Sequence, residues 1–71
     1  MNTDYIAEGN VVVHRLIGYI GICEVSNEGV SVHYGNMSGR YGRTTNEPTI
    51  VVAQYWRLAT DEEVRHYFDA D

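Results

Sequence analysis

Two strand-like runs, Ile22-Cys23-Glu24-Val25 and Val30-Ser31-Val32-His33-Tyr34, are joined by Ser26-Asn27-Glu28-Gly29. Asn and Gly tolerate positive φ, so the junction is a turn and the segment a β-hairpin. In the second arm Val30, Val32 and Tyr34 alternate with Ser31 and His33, the period of a strand with one wet face, which sets Val30, Val32 and Tyr34 inward. The chain is 71 residues long and 44% apolar, so this hairpin belongs to one small domain spanning residues 1–71, with a modest core and no room for a second.

The flanking segments extend the sheet. Val11-Val12-Val13 is β-branched and predicts the first strand. Gly18 and Gly21 interrupt a segment that stays strand-like through Ile20, Ile22 and Val25. Interior glycines of this kind mark bulges or bends, so one long strand is expected to bend here and curl the sheet on itself. Residues 35–48 hold three glycines, Arg40 and Arg43, and no apolar periodicity, which predicts one long exposed loop and a first place to look for a binding surface. Thr49 to Arg57 is strongly β-prone and predicts a last strand. Thr60-Asp61-Glu62-Glu63 is a capping box that opens a C-terminal helix over residues 61–68, with Val64 and Phe68 on one face and Leu58 and Ala59 packed near Val64. Residues 1–9 form either a helical turn, capped by Thr3 and stopped by Gly9, or an irregular mobile arm. The expected fold class is mainly β, a β-rich α+β: a small curled antiparallel sheet or barrel of four to five strands with a short C-terminal helix.

Ile17-Gly18-Tyr19-Ile20-Gly21, leading into the Glu24-Val25 to Val30-Ser31-Val32 hairpin, resembles the curled hairpins of SH3-like small barrels over roughly residues 11 to 57. Families with that fold bind peptides, proteins or RNA, so the resemblance carries no function by itself. The short, acidic, motif-free chain is also similar in style to bacteriophage accessory proteins that bind host machinery.

Ten Asp and Glu stand against five Arg and no Lys, a net charge of −5 that repels phosphate backbones and anionic lipid at long range. A single cysteine, Cys23, in an apolar stretch excludes an internal disulfide and points to a reducing cytoplasm. The first eight residues carry Asp4 and Glu8 and no base, unlike a secretory signal, and the apolar tract Val11 to Val25 is broken by His14, Arg15 and Glu24, so no membrane span is expected. His14, His33, His66 and Cys23 lack ligand-pair spacing, and no metal or cofactor is expected. No Gly-x-Ser-x-Gly turn presents a nucleophile, and Asp61, Glu62 and Glu63 are accounted for by capping, so no catalytic residues are expected. The glycines at 35, 39 and 42 do not follow phosphate-loop spacing.

Two poles remain for contact with a partner. Gly39-Arg40-Tyr41-Gly42-Arg43 places two guanidiniums around an aromatic, able to stack on bases or to fork onto carboxylates. The C-terminal segment from Asp61 to Asp71 carries five acids against Arg65, with Tyr67 among them, a surface suited to a basic protein patch. Tyr19, Tyr34 and Tyr55 fall in strands and are expected to be partly core, whereas Tyr5 and Tyr41 lie outside strands and suit an interface. The expected contact residues are Tyr5, Arg40, Tyr41, Arg43, Asp61, Glu62 and Tyr67. The expected role is a non-enzymatic protein-binding regulator docking on a larger host cytoplasmic protein such as RNA polymerase to modulate transcription. The alternatives are a single-stranded nucleic-acid binder using Arg40, Tyr41 and Arg43, and an anti-defence inhibitor of a host nuclease.

Overall fold

A computed structural model describes residues 3–35 and 41–69, and the side chains of all of these except Phe68 and Asp69. Five antiparallel strands, β1 (Val11–His14), β2 (Ile20–Ser26), β3 (Gly29–Gly35), β4 (Tyr41–Arg43) and β5 (Trp56–Leu58), make one sheet in the order β4-β3-β2-β1-β5. Helix α1 (Thr49–Tyr55) connects β4 to β5, and α2 (Asp61–Asp69) follows β5. The protein is mainly β, as its β-branched and aromatic runs predict.

The hairpin from β2 to β3 has the expected register, with Val25 opposite Val30, Cys23 opposite Val32 and Ser26 opposite Gly29 at the turn. The interval between Val11 and Val25 is not one bent strand. Its first part, β1, pairs back on β2 with Val13 opposite Ile20, and the reversal between them is a turn in which Gly18 takes φ 72. Gly21 is instead an internal residue of β2, pressed against β3.

The sheet is covered on both faces. Val12, Cys23 and Val32 are fully buried on one face with Ile6, Val30, Val52, Ala53 and Trp56. Val11, Val13 and Ala59 form a smaller cluster on the other, backed by Ile20, Ile22 and Val64 of α2. Three consecutive buried valines in β1 follow from this double cover. In β3, Val30 and Val32 are buried and His33 is exposed as alternation requires, but Ser31 is only 6% exposed. It lies opposite Glu24, whose carboxylate pairs with Arg43.

The segment Thr49–Tyr55 departs from expectation: it is a helix, and only Trp56–Leu58 forms the last strand. Pro48 precedes it with an extended backbone, and its carbonyl accepts the amides of Val51 and Val52 at 3.0 and 3.2 Å. The burial pattern gives the reason. Within α1, Val52 and Ala53 are buried side by side while Ile50, Gln54 and Tyr55 are exposed, a pattern of neighbours that one face of a helix satisfies and period-two alternation does not. Packing on the sheet outweighs the β propensity of Ile50, Val51 and Val52. Tyr55, expected to be partly core, is 51% exposed in consequence, and so is Leu58, expected near Val64.

Residues 41–48 are also more structured than a loop. Tyr41–Arg43 pairs with β3, the Thr44 hydroxyl accepts the Val32 amide at 2.9 Å, and Glu47 exchanges two backbone bonds of 2.9 Å with Val30. The N-terminal arm is tied down as well: Ile6 is buried, and the Gly9 amide donates to the Cys23 carbonyl at 2.9 Å. Burial pushes the Cys23 thiol up to about 11, with the nearby Glu8 charge adding to the effect against an opposing backbone bond at Ala7. It is protonated and inert at neutral pH.

The capping box is formed. The Glu63 amide donates to the Thr60 hydroxyl at 3.1 Å, and the Glu63 carboxylate accepts the Thr60 amide at 2.9 Å. Arg57 on β5 forks onto both carboxylate oxygens at 2.8 Å, tying α2 to the sheet. That guanidinium, with the Thr60 amide, lowers the Glu63 carboxyl to about 2. Because the folded value lies below the unfolded one, the stabilisation is full above the ordinary value of 4.5 and is lost as pH falls toward 2. The Arg57 side chain is 40% exposed, so solvent screening holds the contribution to about 1 kcal/mol. Urea midpoints of Glu63→Gln and the parent chain are expected to differ at pH 6, to draw closer by pH 3 and to converge only as pH falls to about 2. An unchanged difference across that range would contradict the assignment.

Candidate functional site

The β1–β2 turn, the end of β3, the β4–α1 connection and α1 enclose an open cleft of about 300 Å³. Its aromatic wall is a continuous row. Tyr19, just before β2, stacks on Tyr34 of β3 with ring centroids 5.2 Å apart, and Tyr34 tilts against Trp56 at 5.9 Å. Trp56 stands nearly perpendicular to the His14 ring with centroids 4.9 Å apart, and His14 in turn stacks toward Tyr55 at 6.3 Å. Ile17, Thr44, Thr45, Glu47, Val51 and Val52 complete the lining.

Each wall is held from behind. The amides of Leu16 and Ile17 donate to Nδ1 of His14 at 3.2 and 3.4 Å, so the imidazole shapes the turn that presents Ile17. The Arg15 amide donates to the Tyr55 carbonyl at 2.8 Å, and its guanidinium to the Ala53 carbonyl at 3.1 Å, which caps the last turn of α1 and ties it to the same turn. Tyr34 lies over Gly42, where a Cβ would come within 2.6 Å of its hydroxyl, so the absence of a side chain there sets the ring's position. The cleft is thus pre-formed by side-chain and backbone bonds, while Ile17 at 60% and Tyr55 at 51% exposure leave apolar surface open at its rim. Trp56 is 5% exposed and serves both core and cleft.

The residues expected to contact a partner are not assembled by the fold, and none of the six that are described lines the cleft. Tyr5 has an internal duty: its hydroxyl donates to the Trp56 carbonyl at 2.8 Å and stitches the N-terminal arm to β5. Arg40 falls outside the described residues. Tyr41 is 76% exposed, and Arg43 beside it is bound to Glu24 at 2.8 Å, so the paired-guanidinium arrangement does not present Arg43 as an uncommitted cation. Asp61 and Glu62 are exposed in the first turn of α2, and Tyr67 is half-buried near its end. Among the described residues, no three of His, Cys, Asp and Glu gather where they could hold a metal ion, and no helix is long and apolar enough to cross a membrane.

The cleft escaped the sequence reading because its aromatic residues are scattered over positions 14, 19, 34, 55 and 56 and each has an ordinary place in a strand-like run. No local signal set Thr49 to Tyr55 apart as a helix from the β-branched run it belongs to. Read as a helix, that segment leaves Tyr55 outside, beside the end of β1. No family model matches the chain, and no curated protein or solved structure was found similar to it.

Proposed function

We propose that the chain is a non-enzymatic protein-binding module that grips a segment of a larger protein in the cleft of His14, Tyr19, Tyr34, Tyr55 and Trp56. The observation that carries this reading is a pre-formed aromatic wall left open to solvent, with Ile17 and Tyr55 at its rim. Aromatic side chains supply contact area at little entropic cost and anchor protein interfaces. In this reading the likeness to SH3-like small barrels extends to the use of the fold, a compact β body whose surface holds part of another protein. Docking on a host cytoplasmic machine such as RNA polymerase, to regulate it, is the form of that role that small size and acidity favour.

Pull-down from a bacterial lysate tests it with two variants at exposed positions. Ile17→Ser with Tyr55→Ala alters the cleft rim, and Tyr41→Ala with Arg43→Ala alters β4. The protein captured by the parent chain is expected to be lost with the first variant and kept with the second. Capture that ignores the first variant overturns the cleft as the contact surface. Binding of a labelled single-stranded oligonucleotide that weakens steeply with salt would replace the reading by the nucleic-acid one.

A further inference from the structure

The charge in the cleft defines the chemistry of what enters it, on the premise that the cleft is a protein-docking site. Glu47 lines the cleft, and both of its backbone groups are held by Val30 at 2.9 Å, so its Cα is fixed. One carboxylate oxygen accepts the Thr45 hydroxyl at 3.0 Å. Among the described residues the ion pairs are Arg43 with Glu24 and Arg57 with Glu63, and no cation pairs with Glu47. Arg15, next to His14 of the cleft wall, is committed to the Ala53 carbonyl.

Among the described residues the carboxylate therefore has no cationic partner, and Glu47 lines the same cleft as Tyr19, Tyr34 and Trp56. Aromatic faces carry negative quadrupole density, which attracts cations and repels anions. The net charge of −5 adds a long-range field of the same preference. A lysine ammonium would satisfy the charge alone. A guanidinium is planar and weakly hydrated, so it stacks against rings while forking onto a carboxylate. We infer that the cleft recognises an arginine side chain presented by the partner protein, with the guanidinium against the aromatic wall and paired to Glu47.

The test uses Trp56, the single tryptophan of the chain, as a fluorescent reporter within the site. The intact chain is titrated with a capped seven-residue peptide, Gly-Ser-Leu-Arg-Leu-Ser-Gly, and with the same peptide carrying citrulline, the neutral isostere, in place of arginine. The arginine peptide is expected to bind at least roughly tenfold more tightly, the effect of one charge-assisted pair, with salt narrowing the gap. Glu47→Gln, which keeps the size and the Val30 bonds, is expected to abolish the difference while near-ultraviolet circular dichroism stays unchanged. Equal affinities for the two peptides, no saturable signal with either, or an unaltered preference in Glu47→Gln overturns the inference. The same variant in the pull-down separates the two readings: capture that needs Ile17 and Tyr55 but ignores Glu47 leaves docking intact and removes the arginine. Concentration-dependent self-association abolished by Arg65→Ala would assign the cleft to a second copy and also overturn it.

Discussion

Replacing Trp56 with alanine is expected to lower the free energy of unfolding by about 3–5 kcal/mol, the usual cost of deleting a buried large aromatic. Stability at roughly 0.05–0.15 kcal/mol per residue leaves a chain of this length only about 4–11 kcal/mol in all, so the variant should lose a large share of its stability and unfold at a much lower urea concentration than the parent chain. Several structures meet at this residue. The indole lies between Tyr34 and His14, and its amide closes α1 on the Val52 carbonyl. Its carbonyl accepts the Tyr5 hydroxyl, and its strand position pairs with His14. Removing the side chain opens a cavity in the main core and deletes the centre of the cleft together. Urea unfolding followed by far-ultraviolet circular dichroism measures the first effect. Trp56→Phe separates the second, because it keeps most of the apolar volume and should retain a cooperative transition while capture weakens. A loss below about 1 kcal/mol on going to alanine would show that the indole is not a core residue.

Gly21→Ala is expected to be nearly as damaging, although it adds one methyl. A Cβ at position 21 would sit 2.5 Å from a methyl of Val32, 2.8 Å from the His33 carbonyl oxygen and 3.0 Å from the Tyr34 Cα. Two of those three atoms belong to the β3 backbone and cannot rotate away. Relief requires β2 and β3 to separate at the registers Gly21–Tyr34 and Ile22–His33, next to the fully buried Val32. Overpacking of this kind costs about 1–3 kcal/mol, and a rigid backbone neighbour puts this site at the upper end. Because Tyr34 lies directly across from Gly21, the shift also moves the aromatic wall, so partner capture should fall even in the fraction that folds. A midpoint equal to that of the parent chain would overturn the close approach of β2 and β3 at Gly21.

How much of this was legible in the amino-acid order depends on the range of the interactions involved. The hairpin of β2 and β3, the first strand and the capping box of α2 were all readable, because their signals lie within a dozen neighbouring residues. The turn at Gly18 was half-readable: the glycine was visible as a break, but a reversal and a bend leave the same local mark. Helix α1 was not readable from propensity, since Ile50, Val51 and Val52 favour a strand and only the sheet beneath them rewards a helix. Tyr5 and Tyr55 exchanged roles for the same reason. Tyr5 lies outside any strand yet bonds to β5, and Tyr55 lies in a β-prone run yet ends on the surface.

Taken alone, the residue order determined the mainly β class, the central hairpin, the acidic character and the closing helix with its Thr60–Glu63 cap. Alternation, turn chemistry and capping act between near neighbours and need no knowledge of the rest of the chain. Only the tertiary structure decided that His14, Tyr19, Tyr34, Tyr55 and Trp56 share one cleft with Glu47, and that Arg43 is taken up by Glu24. Those contacts join residues from five separate segments, and which of them meet is set by how β1 pairs with both β2 and β5, a long-range choice that no local pattern encodes.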